Sequence, residues 1–130
     1  MPISSRMLLV GESKPFRLFA EELLKTGHPA YRADTVEQAL AAARREQAML
    51  MIHAENSDCI TWLTERLELK GMTAAKFHAT SRPFVVEREA THRAISLAEL
   101  LDVPMLLVHV SAKEAMHEIQ RAQARGLKVY

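Results

Sequence analysis

Apolar residues fall into short runs that alternate with stretches of helical spacing. Arg6 to Val10 stops at Gly11, Ala48 to His53 ends at its histidine, and Val103 to Val110 starts with Pro104 in its second position. Runs of this length, bounded by turn residues and apolar on both faces, predict buried strands. His28 to Ala33 is a weaker strand with Pro29 near its start, which suits a sheet edge. Leu127 to Tyr130 predicts a last strand.

Between these runs the apolar positions recur every three or four residues. One stripe is Phe16, Phe19, Ala20, Leu23 and Leu24, closed by Gly27; the next is Val36, Ala39, Leu40 and Ala43. Ile60, Leu63 and Leu67 mark a third helix, stopped at Gly71. Ala90, Ala94, Leu97, Ala98 and Leu101 mark a fourth, and Ala112, Ala115, Met116, Ile119 and Ala122 a fifth. Asp34 with Glu37, and Ser111 with Glu114, have the form of capping boxes. Met72 to Arg88 has no sustained period and reads as a long loop.

Five strands alternating with helices predict a single α/β domain over residues 1–130, with a parallel sheet and right-handed crossovers. The expected fold is flavodoxin-like: a five-stranded parallel sheet of order 2-1-3-4-5, with helices on both faces. Such a domain adds a helix after its fifth strand, and here that C-terminal helix is missing. One face is then undercovered, which predicts self-association as a homodimer. Strand order 2-1-3-4-5 also puts the third strand beside the fourth. Their histidines, His53 and His109, then meet at the carboxyl edge, where parallel sheets bind ligands.

Charge narrows the partners. Seventeen basic and sixteen acidic residues leave a net charge of +1, mixed along the chain, so neither nucleic acid nor an anionic membrane is an expected partner. One cysteine, Cys59, precludes an internal disulfide framework. No apolar run is long enough for a signal sequence or a membrane span. The expected setting is cytoplasmic.

Two imidazoles at adjacent strand ends are candidate ligands for Zn²⁺ or another transition metal. Glu55, His78 and Glu12 are the candidate additional donors, since two ligands alone make a weak site. The competing reading is a pair of inherited histidines satisfied by backbone or water. Blander readings also stand for the remaining chemistry. Ser111 is a cap, Cys59 a small residue at a helix start, His92 and His117 surface residues, Arg82 a solvated loop residue, Trp62 core or interface, and Met49 and Met51 core packing.

From Met51 onward several words resemble a piece of a dihydropyrimidinase, the D-hydantoinase branch of the amidohydrolases. They are Ile52-His53-Ala54-Glu55-Asn56, Phe77-His78-Ala79 with Ser81-Arg82-Pro83, Glu89-Ala90-Thr91-His92-Arg93-Ala94-Ile95, Val108-His109-Val110-Ser111, and Gly126-Leu127-Lys128-Val129-Tyr130. The resemblance implies a TIM-barrel hydrolase of cyclic amides with two metal ions, usually zinc. It also implies that His53 and His109 are metal ligands. The family's His-x-His pair, its metal-bridging carboxylated lysine and its late aspartate have no counterpart here, and the matching words span roughly two and a half of the eight βα units.

Residues 6–50 are instead similar to the first half of a response-regulator receiver domain. The words are Met7-Leu8-Leu9-Val10 before an acidic turn, Leu24-Lys25-Thr26-Gly27-His28, and Thr35-Val36-Glu37-Gln38-Ala39-Leu40. The receiver's paired acids and phosphoacceptor aspartate are absent: Gly11-Glu12 supplies one acid, and His53 stands at the end of the third strand. Together these readings predict an engineered or recombined chimera with no evolved catalytic activity and no expected cofactor. Two alternatives remain: a metal-binding fragment of a hydantoinase-type hydrolase, with zinc as its metal, and a degenerate receiver acting as a protein-interaction module.

Overall fold

A computed structural model describes residues 7–10, 25, 30–33 and 35–130. The helix expected over Phe16 to Leu24, and with it Glu12, Gly27 and Asp34, lies outside the described residues.

Strand β1 (Met7–Val10) pairs in parallel with β2 (Ala30–Ala33), with Met7 opposite Ala30. Helix α1 (Val36–Arg45) follows. It starts where the Thr35 side chain accepts the N–H of Gln38 at 3.2 Å, which pairs one of the amides that a helix start leaves open. This cap sits one residue after the expected Asp34–Glu37 box. Ala39, Leu40 and Ala43 are buried on one face, while Arg44 and Arg45 occupy the last turn, where cations complement the helix dipole.

Strand β3 (Leu50–Ile52) pairs in parallel with β4 (Met105–Leu107), Leu50 opposite Met105 and Ile52 opposite Leu107. The crossover between them holds α2 (Ser57–Glu68), two 3₁₀ turns (Ala75–Phe77 and Ala79–Ser81) and α3 (Phe84–Leu101). Asp102, at φ 50°, ends α3 in the left-handed region, which short polar residues tolerate. After β4 comes α4 (Lys113–Ala124), which packs against α3. Residues 128–130 then run beside β4. Met105 N–H donates to Lys128 at 2.9 Å, Leu107 N–H to Tyr130 at 2.8 Å, and Tyr130 N–H to Met105 at 2.9 Å.

The core lies between this small sheet and the helices. Met105, fully buried, is joined by Leu40, Ala43, Leu50, Ile95, Ala98, Val103, Leu107, Ala122 and Val129. Burying a side chain of that size contributes about 1.5–3 kcal/mol. Small residues at Ala98 and Ala122 let the helices come close to it.

The five-stranded flavodoxin-like sheet does not form. Among the described residues the strands make two separate parallel pairs, β1 with β2 and β3 with β4, and no ladder joins the first strand to the third as order 2-1-3-4-5 requires. The last predicted strand is reduced to a single bridge between Met105 and Val129. The strands among the described residues are three or four residues long, so helices dominate there. Local alternation of strand and helix is the same in a flavodoxin-like sheet and in other parallel α/β arrangements, so it could not choose between them. Nor do the described residues cover β3 on both sides: Met51 is 66% exposed, and Met49, just before the strand, 53%, against their expected place in the core. The supposed loop over 72–88 contains both 3₁₀ turns, and α3 has already begun at Phe84. The Ser111–Glu114 box is also absent, because the residue at the start of α4 is Ala112, which has no side chain able to cap it.

Candidate metal centre

His53 and His109 each follow the last residues of a parallel strand. Because β3 and β4 are in register, with Val108 N–H donating to Ile52 at 3.1 Å, the two side chains leave the sheet at the same edge. Nδ1 of His53 lies 2.6 Å from Nε2 of His109; the ring centroids are 4.7 Å apart and the planes tilted by 47°. Both residues are exposed. His109 has φ 43°, in the left-handed region.

A nitrogen pair at 2.6 Å is a hydrogen bond, in which one ring donates N–H and the other accepts through a lone pair. Two imidazole nitrogens on one tetrahedral zinc, at 2.0–2.1 Å each, are roughly 3.3 Å apart. A shift of well under 1 Å separates the two arrangements. The donor type and direction fit a divalent transition metal. The donor number does not reach a complete site: no group of three histidine, cysteine or acidic residues within metal reach occurs among the described residues.

The further donors proposed from sequence are engaged elsewhere. Glu55 Oε1 lies 3.4 Å from Arg82 Nε, and Arg82 Nη1 lies 3.2 Å from Nδ1 of His78. Arg82 thus gathers both candidates to itself, with Ser81 Oγ at 3.1 Å, and is not a free loop cation. Glu12 lies outside the described residues. Beside this cluster, a cavity of about 310 Å³ opens between α2 and the 3₁₀ turns, lined in part by Leu67, Met72, Phe77, His78 and Arg82; neither His53 nor His109 lines it.

Other residues singled out from sequence fall as follows. Cys59 is exposed in the first turn of α2, where its N–H donates to Asn56 Oδ1 at 3.0 Å. Trp62 is 56% exposed, with the Arg66 guanidinium 4.7 Å from its ring centroid. His92 and His117 are both exposed. His92 Nδ1 is 3.0 Å from Glu118 Oε2, and this hydrogen bond holds the Glu118 carboxyl below the usual glutamate range. Ser111 Oγ donates to the His109 carbonyl at 3.1 Å and caps no helix.

Two carboxylates near the site carried no local sequence signal. Glu87 accepts the N–H of Ser111 at 2.7 Å and of Ala112 at 3.1 Å. Glu89 accepts Nδ2 of Asn56 at 2.6 Å. Both lie on α3, and their partners are 24 to 33 residues away, so spacing along the chain could not reveal them.

No protein-family model matches the chain. Known proteins do. It is 35% identical over 127 residues to a dihydropyrimidinase of Arabidopsis thaliana, covering 98% of this chain and 24% of that one. The chain is similar to a segment of the dihydropyrimidinases and D-hydantoinases. A D-hydantoinase of Ralstonia pickettii is 40% identical over 94 residues, 72% of this chain and 21% of its own length. Among solved structures, the dihydropyrimidinase of Brevibacillus agri NCHU1002 superposes over 96% of this chain and 24% of its own, with a TM-score of 0.73 and 30% identity. The chain therefore spans about a fifth to a quarter of the length of these relatives.

These likenesses correct three expectations. The Arabidopsis match runs through nearly the whole chain, so residues 6–50 are not a receiver-like half, and the recombined chimera is not supported. The frame that superposes belongs to amidohydrolase enzymes and not to a flavodoxin-like protein. The expectation of a non-enzyme is likewise overturned, since the relatives are enzymes, here matched over a segment. No helix among the described residues is long and apolar enough to cross a membrane.

Proposed function

We propose that this chain is part of a metal-dependent cyclic amide hydrolase of the dihydropyrimidinase or hydantoinase type, to which it contributes His53 and His109 as zinc ligands. The observation that carries the reading is the 2.6 Å contact between the two ring nitrogens at neighbouring strand ends. The similarity to D-hydantoinases supports it, and both histidines stand in the words by which the sequence resembles that family. A bound zinc supplies an activated water at neutral pH and polarises an amide carbonyl. The chain's own share is narrower. β3 and β4 aim two imidazoles at one point, and the loops after them fix the angle of approach. Catalytic zinc takes three protein ligands and keeps one position open, so the reading requires at least one donor beyond these two.

Calorimetric titration with Zn²⁺ tests it. Uptake by the chain that is lost in both His53→Ala and His109→Ala is the expected result, and uptake unaffected by either change would refute the ligand assignment. Ring opening of hydantoin and dihydrouracil, followed with and without added zinc, tests the substrate class.

A further inference from the structure

We propose that Glu87 and Glu89 are positioning residues: through them α3 sets the separation of His53 and His109. The two glutamates are two positions apart on one helix, so they leave it about 200° apart around the axis and reach different neighbours. Glu89 Oε2 accepts from Asn56 Nδ2 at 2.6 Å, in the loop that follows His53. Asn56 in turn accepts the Cys59 N–H at 3.0 Å, so this loop is pinned to α2 and to α3 through one side chain.

Glu87 does the corresponding work after His109. Its carboxylate takes the N–H of Ser111 at 2.7 Å and of Ala112 at 3.1 and 3.2 Å. Ser111 Oγ also donates to the His109 carbonyl at 3.1 Å. His109 is held at φ 43° within this set of bonds. A backbone in the left-handed region persists only where its surroundings fix it, and Glu87 ties the residues just after His109, Ser111 and Ala112, to α3. One rigid helix thus holds the segments after both strands, and a pair of nitrogens at 2.6 Å is sensitive to any slip between them.

The bland account is that Glu87 merely stands in for the missing cap of α4. The two accounts part in a double variant. Ala112→Ser offers α4 a local cap but gives no hold on His109. The experiment compares the chain with Glu87→Ala, Glu87→Gln, Glu89→Ala, Glu89→Gln and Glu87→Ala/Ala112→Ser, all free of metal. The readouts are thermal stability and the ¹⁵N–¹⁵N coupling across the His53–His109 hydrogen bond. Positioning predicts loss of the coupling in both alanine variants and its retention in both glutamine variants, which keep an acceptor oxygen. It also predicts that the double variant regains stability without regaining the coupling. Coupling that survives both alanine changes, or that returns with stability in the double variant, overturns the proposal, as does its absence from the unsubstituted chain. A Zn²⁺ titration of the same set adds a second arm, with affinity expected to fall roughly 10–100-fold in the alanine variants. That arm alone rests on the metal reading, so an unsubstituted chain that takes up no zinc would remove the metal reading while the coupling still decides the positioning role.

Discussion

Nδ1 of His53 and Nε2 of His109 lie 2.6 Å apart, although the two residues are 56 positions apart in the chain. A contact of that length needs a proton on one nitrogen and a lone pair on the other. A metal bound through the same two atoms needs both lone pairs. With both rings neutral, zinc uptake is therefore expected to move the hydrogen of one ring to its other nitrogen, with no net release of a proton from the pair. Imidazole ¹⁵N chemical shifts, recorded before and after addition of Zn²⁺, report this tautomer change directly. Zinc bound with both tautomers unaltered would place the ion on other residues.

The backbone at His109 leads to a second expectation. At φ 43° a Cβ presses on the neighbouring carbonyl, at a cost of roughly 1–2 kcal/mol for most residues, and asparagine bears it better than alanine or a β-branched residue. His109→Asn should therefore be the mildest way to remove the imidazole. His109→Ala should be less stable by about 1 kcal/mol, and His109→Val less stable again. Urea unfolding of the three variants gives the order. A valine variant as stable as the asparagine variant would mean that the strand end relaxes to negative φ.

The parts that sequence revealed are those set by neighbours in the chain. The stripes of α1, α3 and α4 put Leu40, Ala98 and Ala122 in the core as their spacing implied. The meeting of His53 with His109 followed from two apolar runs ending alike, because any parallel pairing of those runs in register brings their ends together. Larger closure was not written locally. Whether β1 joins β3 depends on contacts between units whose sequences carry the same alternation in either arrangement. Met51 shows the same limit from the other side. An apolar strand residue signals a face that something can cover, and at 66% exposure nothing among the described residues covers this one. The caps failed for a further reason. Ser111 had the right type and spacing, yet Glu87, from a helix 24 residues earlier, takes its amide instead.

A third expectation concerns pH. The hydrogen bond from His92, on α3, lowers the pKa of the Glu118 carboxyl on α4, with the charges of His92 and Arg121 adding to it. A carboxyl whose pKa is depressed on folding contributes stability above its unfolded value, and that contribution is lost as the pH falls through the lower, folded value. The α3–α4 contact should thus weaken only in acid, below the ordinary glutamate range. His92→Ala should return the Glu118 titration toward the ordinary value and flatten this part of the acid profile. Carboxyl ¹³C titration of Glu118 in both proteins measures the change. The effect on global stability should stay small, because His92 is largely exposed and water screens the pair.

Thr91 on α3 supplies the last expectation. Its side chain is fully buried, and Oγ1 has no hydrogen-bond partner among the described residues. A buried hydroxyl without a partner costs about 1–3 kcal/mol relative to its state in water. Valine keeps the branched shape, replaces the hydroxyl by a methyl group, and has nearly the same helix propensity. Thr91→Val is therefore expected to stabilise the chain by about 1 kcal/mol, which for a domain of this size raises the melting temperature by about 3–5 °C. Thr91→Ala removes the same hydroxyl but also leaves a hole beside Ala90 and Ile95, so the gain should be cancelled or reversed. Urea midpoints for the two variants separate the terms. A valine variant less stable than the parent would show that the hydroxyl is paired in solution, and the core around α3 would then owe part of its order to that bond.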